Sequence, residues 1–111
     1  MNPEMKKKWL DALRSGGYKQ GRLCLRRGDE FCCLGVLCDI SGLGKWLGPN
    51  DDGEDHYEVG SEYEWAYPPK AVRDVAGLDY ENPLVGVRTL GDINDEGATF
   101  EEIADLIEEH L

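Results

Sequence analysis

The stretch FCCLGVLCDI, from Phe31 to Ile40, constrains the fold of this chain more than any other. Three cysteines lie in it among apolar residues, which from Cys33 onward recur at the spacing of one helical face. Free cysteine packs as a small buried hydrophobe. We therefore predict a short buried helix that begins at Cys33 and ends near Ser41 and Gly42.

The spacing of the cysteines argues against a zinc site. The chain has four cysteines, Cys24, Cys32, Cys33 and Cys38. A structural zinc site usually shows two C-x2–4-C pairs, or one such pair with spaced histidines, and here His56 and His110 stand alone. The sequence therefore favours core packing and predicts no metal ligand and no cofactor. A metal site or a reactive thiol is the alternative.

Helices are predicted at both ends of the chain. Asn2 is an N-cap followed by Pro3, and an apolar stripe continues to Leu13. Near the other end, Thr99 and Glu102 form a capping box. The apolar stripe of this closing helix consists of Phe100, Ile103, Ala104, Ile107 and Leu111.

Short strands are predicted between these helices. Residues 22–32 read as a β-hairpin, residues 57–59 and 63–67 as strands, and residues 84–87 as a further strand. A helix follows Pro68 and Pro69 and ends at Gly77. This order predicts one α+β domain over residues 1–111, with a small, mainly antiparallel sheet packed against three to four helices.

Charge is unevenly distributed along the chain. The net charge is −11, but residues 1–27 carry eight Lys/Arg against two acids, a balance of +6. The remaining residues therefore carry −17. The basic end either packs over the acidic end or remains free to meet an anion. The overall charge argues against non-specific binding of duplex DNA, which depends on phosphate neutralisation, and we predict no duplex DNA partner.

A basic and aromatic set is the candidate binding site. Arginine and lysine bind phosphate, and aromatic faces stack on bases. We predict ligand-binding roles for Tyr18, Lys19, Gln20, Arg22 and Arg26. Aromatic residues that could complete a pocket for a phosphorylated, nucleotide-like ligand are Tyr57, Tyr63, Trp65 and Tyr67. The alternative is that the arginines pair with the acidic excess and the aromatic residues are core.

The segment DINDEGATFEE resembles the first half of a calcium-binding loop. Asp92, Asn94 and Glu96 alternate before Gly97, as in D-x-[DN]-x-[DN]-G. The loop's twelfth position should be a bidentate glutamate, and here it is Ile103. The sequence therefore predicts a turn that leads into the capped closing helix.

Two parts of the chain resemble a known family. The segment KWLDALRSGGYKQGRLCLRRGDEFCCLGVLCDISG and the closing part from Leu90 to Glu108 are similar to small uncharacterised proteins of bacteriophages and prophages. Those proteins share an FCCLGVLCD run and a closing LND-x-G-x-TF-x-EIAD helix. This sequence departs from the closing pattern by inserting Gly91 and by placing Ile93 before Asn94. The resemblance implies a phage origin and supplies no catalytic residues.

These observations lead to one functional expectation with two alternatives. No hydrolase, nucleotide-loop or metalloprotease motif occurs, so we expect no catalytic residues. We expect a phage accessory protein that binds a small phosphorylated ligand or a host protein. Counter-defence is one role that such a protein could have. The alternatives are a small cysteine- or acid-dependent hydrolase and an interaction protein that acts through its acidic face. The absence of a long apolar run and of a secretory signal predicts the host-cell cytoplasm and no membrane. The sequence leaves open whether the protein forms a homodimer.

Overall fold

The computed structural model describes all residues from 1 to 111 and confirms the α+β class. Its five helices are α1 (Pro3–Arg14), α2 (Cys33–Ser41), α3 (Lys70–Ala76), α4 (Leu90–Asp95) and α5 (Phe100–His110). Its eight short strands are β1 (Lys19–Gln20), β2 (Arg26–Arg27), β3 (Glu30–Phe31), β4 (Lys45–Leu47), β5 (His56–Val59), β6 (Glu62–Glu64), β7 (Leu84–Val85) and β8 (Arg88–Thr89).

The strands form three small sheets. The first has the order β1-β3-β2, and its β1–β3 pair is parallel. The second has the order β4-β5-β6 and is antiparallel throughout. The third is the β7–β8 hairpin. A bridge between Arg26 and Asp55 links the first sheet to the start of the second, whereas the β7–β8 hairpin packs against α4 and α5.

The cysteine-rich helix α2 lies at the centre of the core. Every residue from Cys33 to Cys38 is buried, which confirms the predicted helix and the packing role of the thiols. Gly35 lies against the backbone of Leu25, where an added Cβ would be 1.9 Å from the carbonyl oxygen. Only glycine allows the helix to approach that backbone so closely.

The first helix packs on both α2 and the closing helix α5. Trp9 of α1 is fully buried and donates its indole N–H to the carbonyl of Cys33 at 2.9 Å. The predicted caps are present, with Asn2 accepting from Met5 and a complete capping box at Thr99. Arg14 of α1 pairs with Asp105 and Glu108 of α5, which places the basic front of the chain against the acidic closing helix.

Two predicted boundaries are wrong. The hairpin predicted over residues 22–32 is limited to β2 and β3. The residues before β2 bond elsewhere, because Leu23 donates its N–H to Asp95 and Leu25 donates its N–H to the carbonyl of Trp65. The strand predicted over residues 84–87 is instead the hairpin β7–β8, followed at once by α4. Thr89 caps α4, so the calcium-like segment is helical rather than an open loop.

Candidate functional site

Tyr18 is the first of the five residues that the sequence singles out. Its hydroxyl donates to Asp39 Oδ2 at 2.5 Å, and Trp46 donates its indole N–H to the other oxygen of the same carboxylate at 3.0 Å. Burial, with the hydrogen bond to Asp39, raises the pKa of Tyr18. The ring of Tyr18 also packs edge-on against Phe31. Tyr18 is therefore held as a structural side chain.

Gln20 is bonded to the other end of the chain. Its amide donates to Asn94 Oδ1 at 3.0 Å and to the carbonyl of Ala98 at 2.8 Å. Asn94 is the one fully buried polar residue, and it also accepts from the N–H of Cys33 and donates to the carbonyl of Gly21. This network joins β1, α2 and α4, and apart from the calcium-like pattern around Asn94 no sequence signal indicates it.

The basic members of the predicted set are mostly paired within the chain. Lys19 lies 3.7 Å from Glu30. Arg26 lies 3.5 Å from Asp55 and donates to the carbonyl of Gly28 at 2.6 Å. Arg22 is exposed and makes no ion pair. A phosphate at this site would compete with carboxylates that already hold two of the three cations.

Arg26 also lies on aromatic rings. Its guanidinium carbon is 5.3 Å from the centre of the Phe31 ring and 5.5 Å from that of Trp46. A shallow cavity of about 160 Å³ opens there, lined by Arg26, Trp46, Leu47, Gly48 and Asp55. Of the five predicted residues, Arg26 is the one that lines this cavity. The five predicted residues therefore do not line one pocket together.

The four thiols are unpaired and buried. Burial raises the pKa of Cys32 to about 12, and it raises the pKa values of Cys24, Cys33 and Cys38 as well. A nucleophilic cysteine needs the opposite shift. The sulfur of Cys32 caps α2 by accepting from the N–H of Gly35. No group of three or more potential ligand side chains is arranged to hold a metal ion.

The second sheet presents an aromatic surface on the side away from the core. Side chains alternate between the two faces of a strand, so the cross-strand registers decide which residues share a face. Trp46, Tyr57 and Val59 face inward and pack with the core. The outward residues, called here the aromatic sheet face, are Lys45, Leu47, His56, Glu58, Tyr63 and Trp65.

Three rings on this face contact one another. The ring of His56 lies 5.3 Å from Tyr63 and 5.4 Å from Trp65, and Tyr63 meets Trp65 edge-on at 5.2 Å. None of the three belongs to the core cluster, and Tyr63 is 51% exposed. The indole N–H of Trp65 is buried and has no acceptor in the chain. The face is therefore a cluster of three rings in which Tyr63 is exposed and His56 and Trp65 are half-buried.

Acidic residues border the aromatic sheet face. Residues 46–69 contain seven acids and no lysine or arginine. Two of these acids are paired, Glu54 with Arg27 and Asp55 with Arg26. The acids that make no ion pair are Asp51, Asp52, Glu58, Glu62 and Glu64. Lys45, which lies on the aromatic sheet face opposite Glu58, offsets one of these five charges, so this part of the chain keeps a surplus of negative charge.

Sequence reasoning grouped the aromatic residues of this segment as one set, and the structure divides them. Tyr57 and Tyr67 pack with the core, whereas Tyr63 and Trp65 point outward. His56 was not included among them. The spacing of two residues between Tyr63 and Trp65 indicates that they share a face of the strand. Whether that face points to the core or to the solvent depends on how β6 pairs with β5.

Together, the fold and this surface define a small α+β domain that displays an aromatic sheet face bordered by unpaired carboxylates. The chain belongs to the family described as Domain of unknown function (DUF8296), which matches residues 1–111. No curated protein and no solved structure matches the chain. None of its helices has the length and apolar character needed to cross a membrane.

Proposed function

We propose that this protein is a non-enzymatic binding module that takes a positively charged segment of a protein partner on its aromatic sheet face. The observation that carries the proposal is the contact of His56, Tyr63 and Trp65 on the outward face of the second sheet, within a segment that carries five carboxylates without ion pairs, Glu58 on the same face among them. Exposed aromatic clusters are the usual anchors of protein interfaces. The surplus of negative charge specifies a basic occupant.

The chemistry of the face suits lysine and arginine side chains. A cation over the face of a tyrosine or tryptophan ring gains about 0.5–2 kcal/mol, depending on how far it is desolvated. Glu58 lies on the same face, directly opposite Tyr63, whereas Glu62 and Glu64 flank Tyr63 on the edge strand and belong to the other face of the sheet. A basic segment laid along β6 would therefore contact rings and carboxylates together.

The origin of the partner is part of the same proposal. The resemblance to phage and prophage proteins supports a partner in the cytoplasm of the host cell, such as a basic segment of a host protein, including one of a defence system. The buried thiols with raised pKa values support binding over cysteine catalysis. The pairing of Lys19 and Arg26 with carboxylates favours a protein over a phosphorylated ligand.

Calorimetric titration with matched peptides tests the proposal. The probe is a short blocked peptide of alternating arginine and glycine, and its control replaces arginine by citrulline, which has the same shape without the charge. We expect the arginine peptide to bind and the citrulline peptide to bind far more weakly. Binding of a nucleotide such as ATP with no response to the arginine peptide would instead support the phosphorylated-ligand prediction.

A pair of tyrosine variants locates the site. Tyr63→Thr keeps a residue that suits a strand and removes the ring, so we expect affinity for the arginine peptide to fall about three- to tenfold. Tyr80→Thr is the matched control, because Tyr80 is 66% exposed and lies far from the second sheet in sequence. Equal losses in both variants, or none in either, would contradict the proposal.

A further inference from the structure

A small cavity opens where the chain leaves the aromatic sheet face. From Trp65 the chain runs directly into Ala66 and Tyr67, which line this cavity of about 60 Å³. The volume is several times the ~15 Å³ that one water needs, and far below the ~300 Å³ of a small-molecule pocket. Its lining also includes Leu23, Cys24, Cys32, Asp92 and Asp95.

The lining combines apolar walls with two carboxylates. Asp92 and Asp95 are the charged residues that line the cavity, and neither makes an ion pair. Asp95 accepts from the N–H of Leu23 at 2.9 Å, so it is fixed in place. The carboxylate of Asp92 accepts no hydrogen bond from the chain and remains free. Leu23, which is 73% exposed, forms an apolar rim.

We infer that this cavity takes an alkylammonium group, supplied by a lysine side chain of the partner's basic segment. The volume admits the end of one side chain, the apolar wall suits its methylene stem, and the two carboxylates compensate its charge. The source of the lysine rests on the proposed function, because Ala66 and Tyr67, which line the cavity, directly follow Trp65 of the aromatic sheet face.

The thiols of the cavity do not change this charge balance. Burial raises the pKa values of Cys24 and Cys32, so both remain neutral thiols at neutral pH. The two sulfur atoms add polarisable, apolar surface against which the methylene stem can pack. The carboxylates therefore keep a net negative charge that an ammonium group would neutralise.

Amide chemical shifts under titration with n-butylammonium chloride test the inference on the intact chain. We expect saturable shifts at Leu23, Gly91 and Asp95, and no saturable shifts with n-butanol. Asp92→Asn should weaken n-butylammonium binding at least about fivefold. Asp79→Asn is the matched control, since it removes the same charge from an exposed position outside this cavity.

The outcomes separate this inference from the proposed function. If n-butylammonium gives no saturable shift, or if n-butanol binds equally, the cavity inference is wrong whatever the peptides do. Equal losses in Asp92→Asn and Asp79→Asn would also overturn it, because net charge alone would then explain binding. If n-butylammonium binds at the cavity and neither an arginine nor a lysine peptide binds the chain, the alkylammonium site stands and the proposed function fails.

Discussion

Asn94 shows how much of the fold depends on one side chain. It is fully buried, and its amide contacts β1, the start of α2 and the backbone of Gly21. A buried amide is tolerated only when its hydrogen bonds are satisfied. Gln20, which the sequence suggested as a ligand-binding residue, is one of the groups that satisfy it.

Replacing Asn94 by alanine should destabilise the protein by about 2–4 kcal/mol, because it leaves the N–H of Cys33 and the carbonyl of Gly21 buried without partners. Urea unfolding followed by circular dichroism measures the change. Gln20→Ala is the control and should cost less, since the two bonds from Asn94 to backbone remain. A midpoint for Asn94→Ala equal to that of the unmodified chain would refute this role.

At the scale of elements, the cysteines of helix α2 both cap the helix and pack it into the core. Cys32 caps it, and Cys33 and Cys38 pack fully inside the core. Burial raises the pKa of each, Cys32 to about 12. The unfolded chain, by contrast, releases thiol protons near the ordinary pKa of about 8.5.

This difference makes stability depend on pH at alkaline values. Below about pH 8.5 the thiols are protonated in both states, so they contribute no slope. Above it, the unfolded chain binds fewer protons than the folded chain, and the free energy of unfolding falls by about 1.4 kcal/mol per pH unit for each such thiol. Urea unfolding at several values from about pH 8 to 10 should show the decline.

The variant Cys38→Ala is the control for this prediction. It removes one of the three strongly shifted thiols, so the slope should become shallower even though the variant starts from a lower stability. A stability that stays constant across the alkaline range would show that the thiols ionise in the folded state.

At the scale of the whole molecule, the two ends of the chain hold each other. Arg14 of α1 lies 2.8 Å from both Asp105 and Glu108 of α5. Lys6 donates to the carbonyl of Glu108 at 3.0 Å near the end of that helix, where a cation is favoured by the helix dipole. The charge asymmetry of the sequence is thus partly compensated inside one globule.

Arg14→Gln should lower the free energy of unfolding, and the loss should be larger at about 0.01 M than at about 0.15 M salt, because exposed ion pairs are screened as the Debye length shortens. Lys8→Gln is the matched control, since Lys8 lies on the same helix, carries the same charge and makes no ion pair. Equal salt dependence in the two variants would mean that net charge alone, and not the contact between α1 and α5, sets the effect.

The sequence by itself determined the elements whose signals are local. Helix caps at Asn2 and Thr99, the buried helix from Cys33 and the polarity of the two ends all depend on residues a few positions apart. The fold class followed from the order of these elements. The candidate site did not follow from the sequence, because residue type alone does not show which side chains are already paired within the fold.

Tertiary structure decided which side chains are free to act. Gln20 and Asn94 are 74 residues apart in the chain and hydrogen-bonded in the fold, and Arg26 pairs with Asp55, which directly precedes β5 of the second sheet. Whether Tyr63 and Trp65 face the core or the solvent depends on how β6 pairs with β5. Such pairings join residues distant in sequence, so no local pattern records them, and they alone place the aromatic sheet face outside.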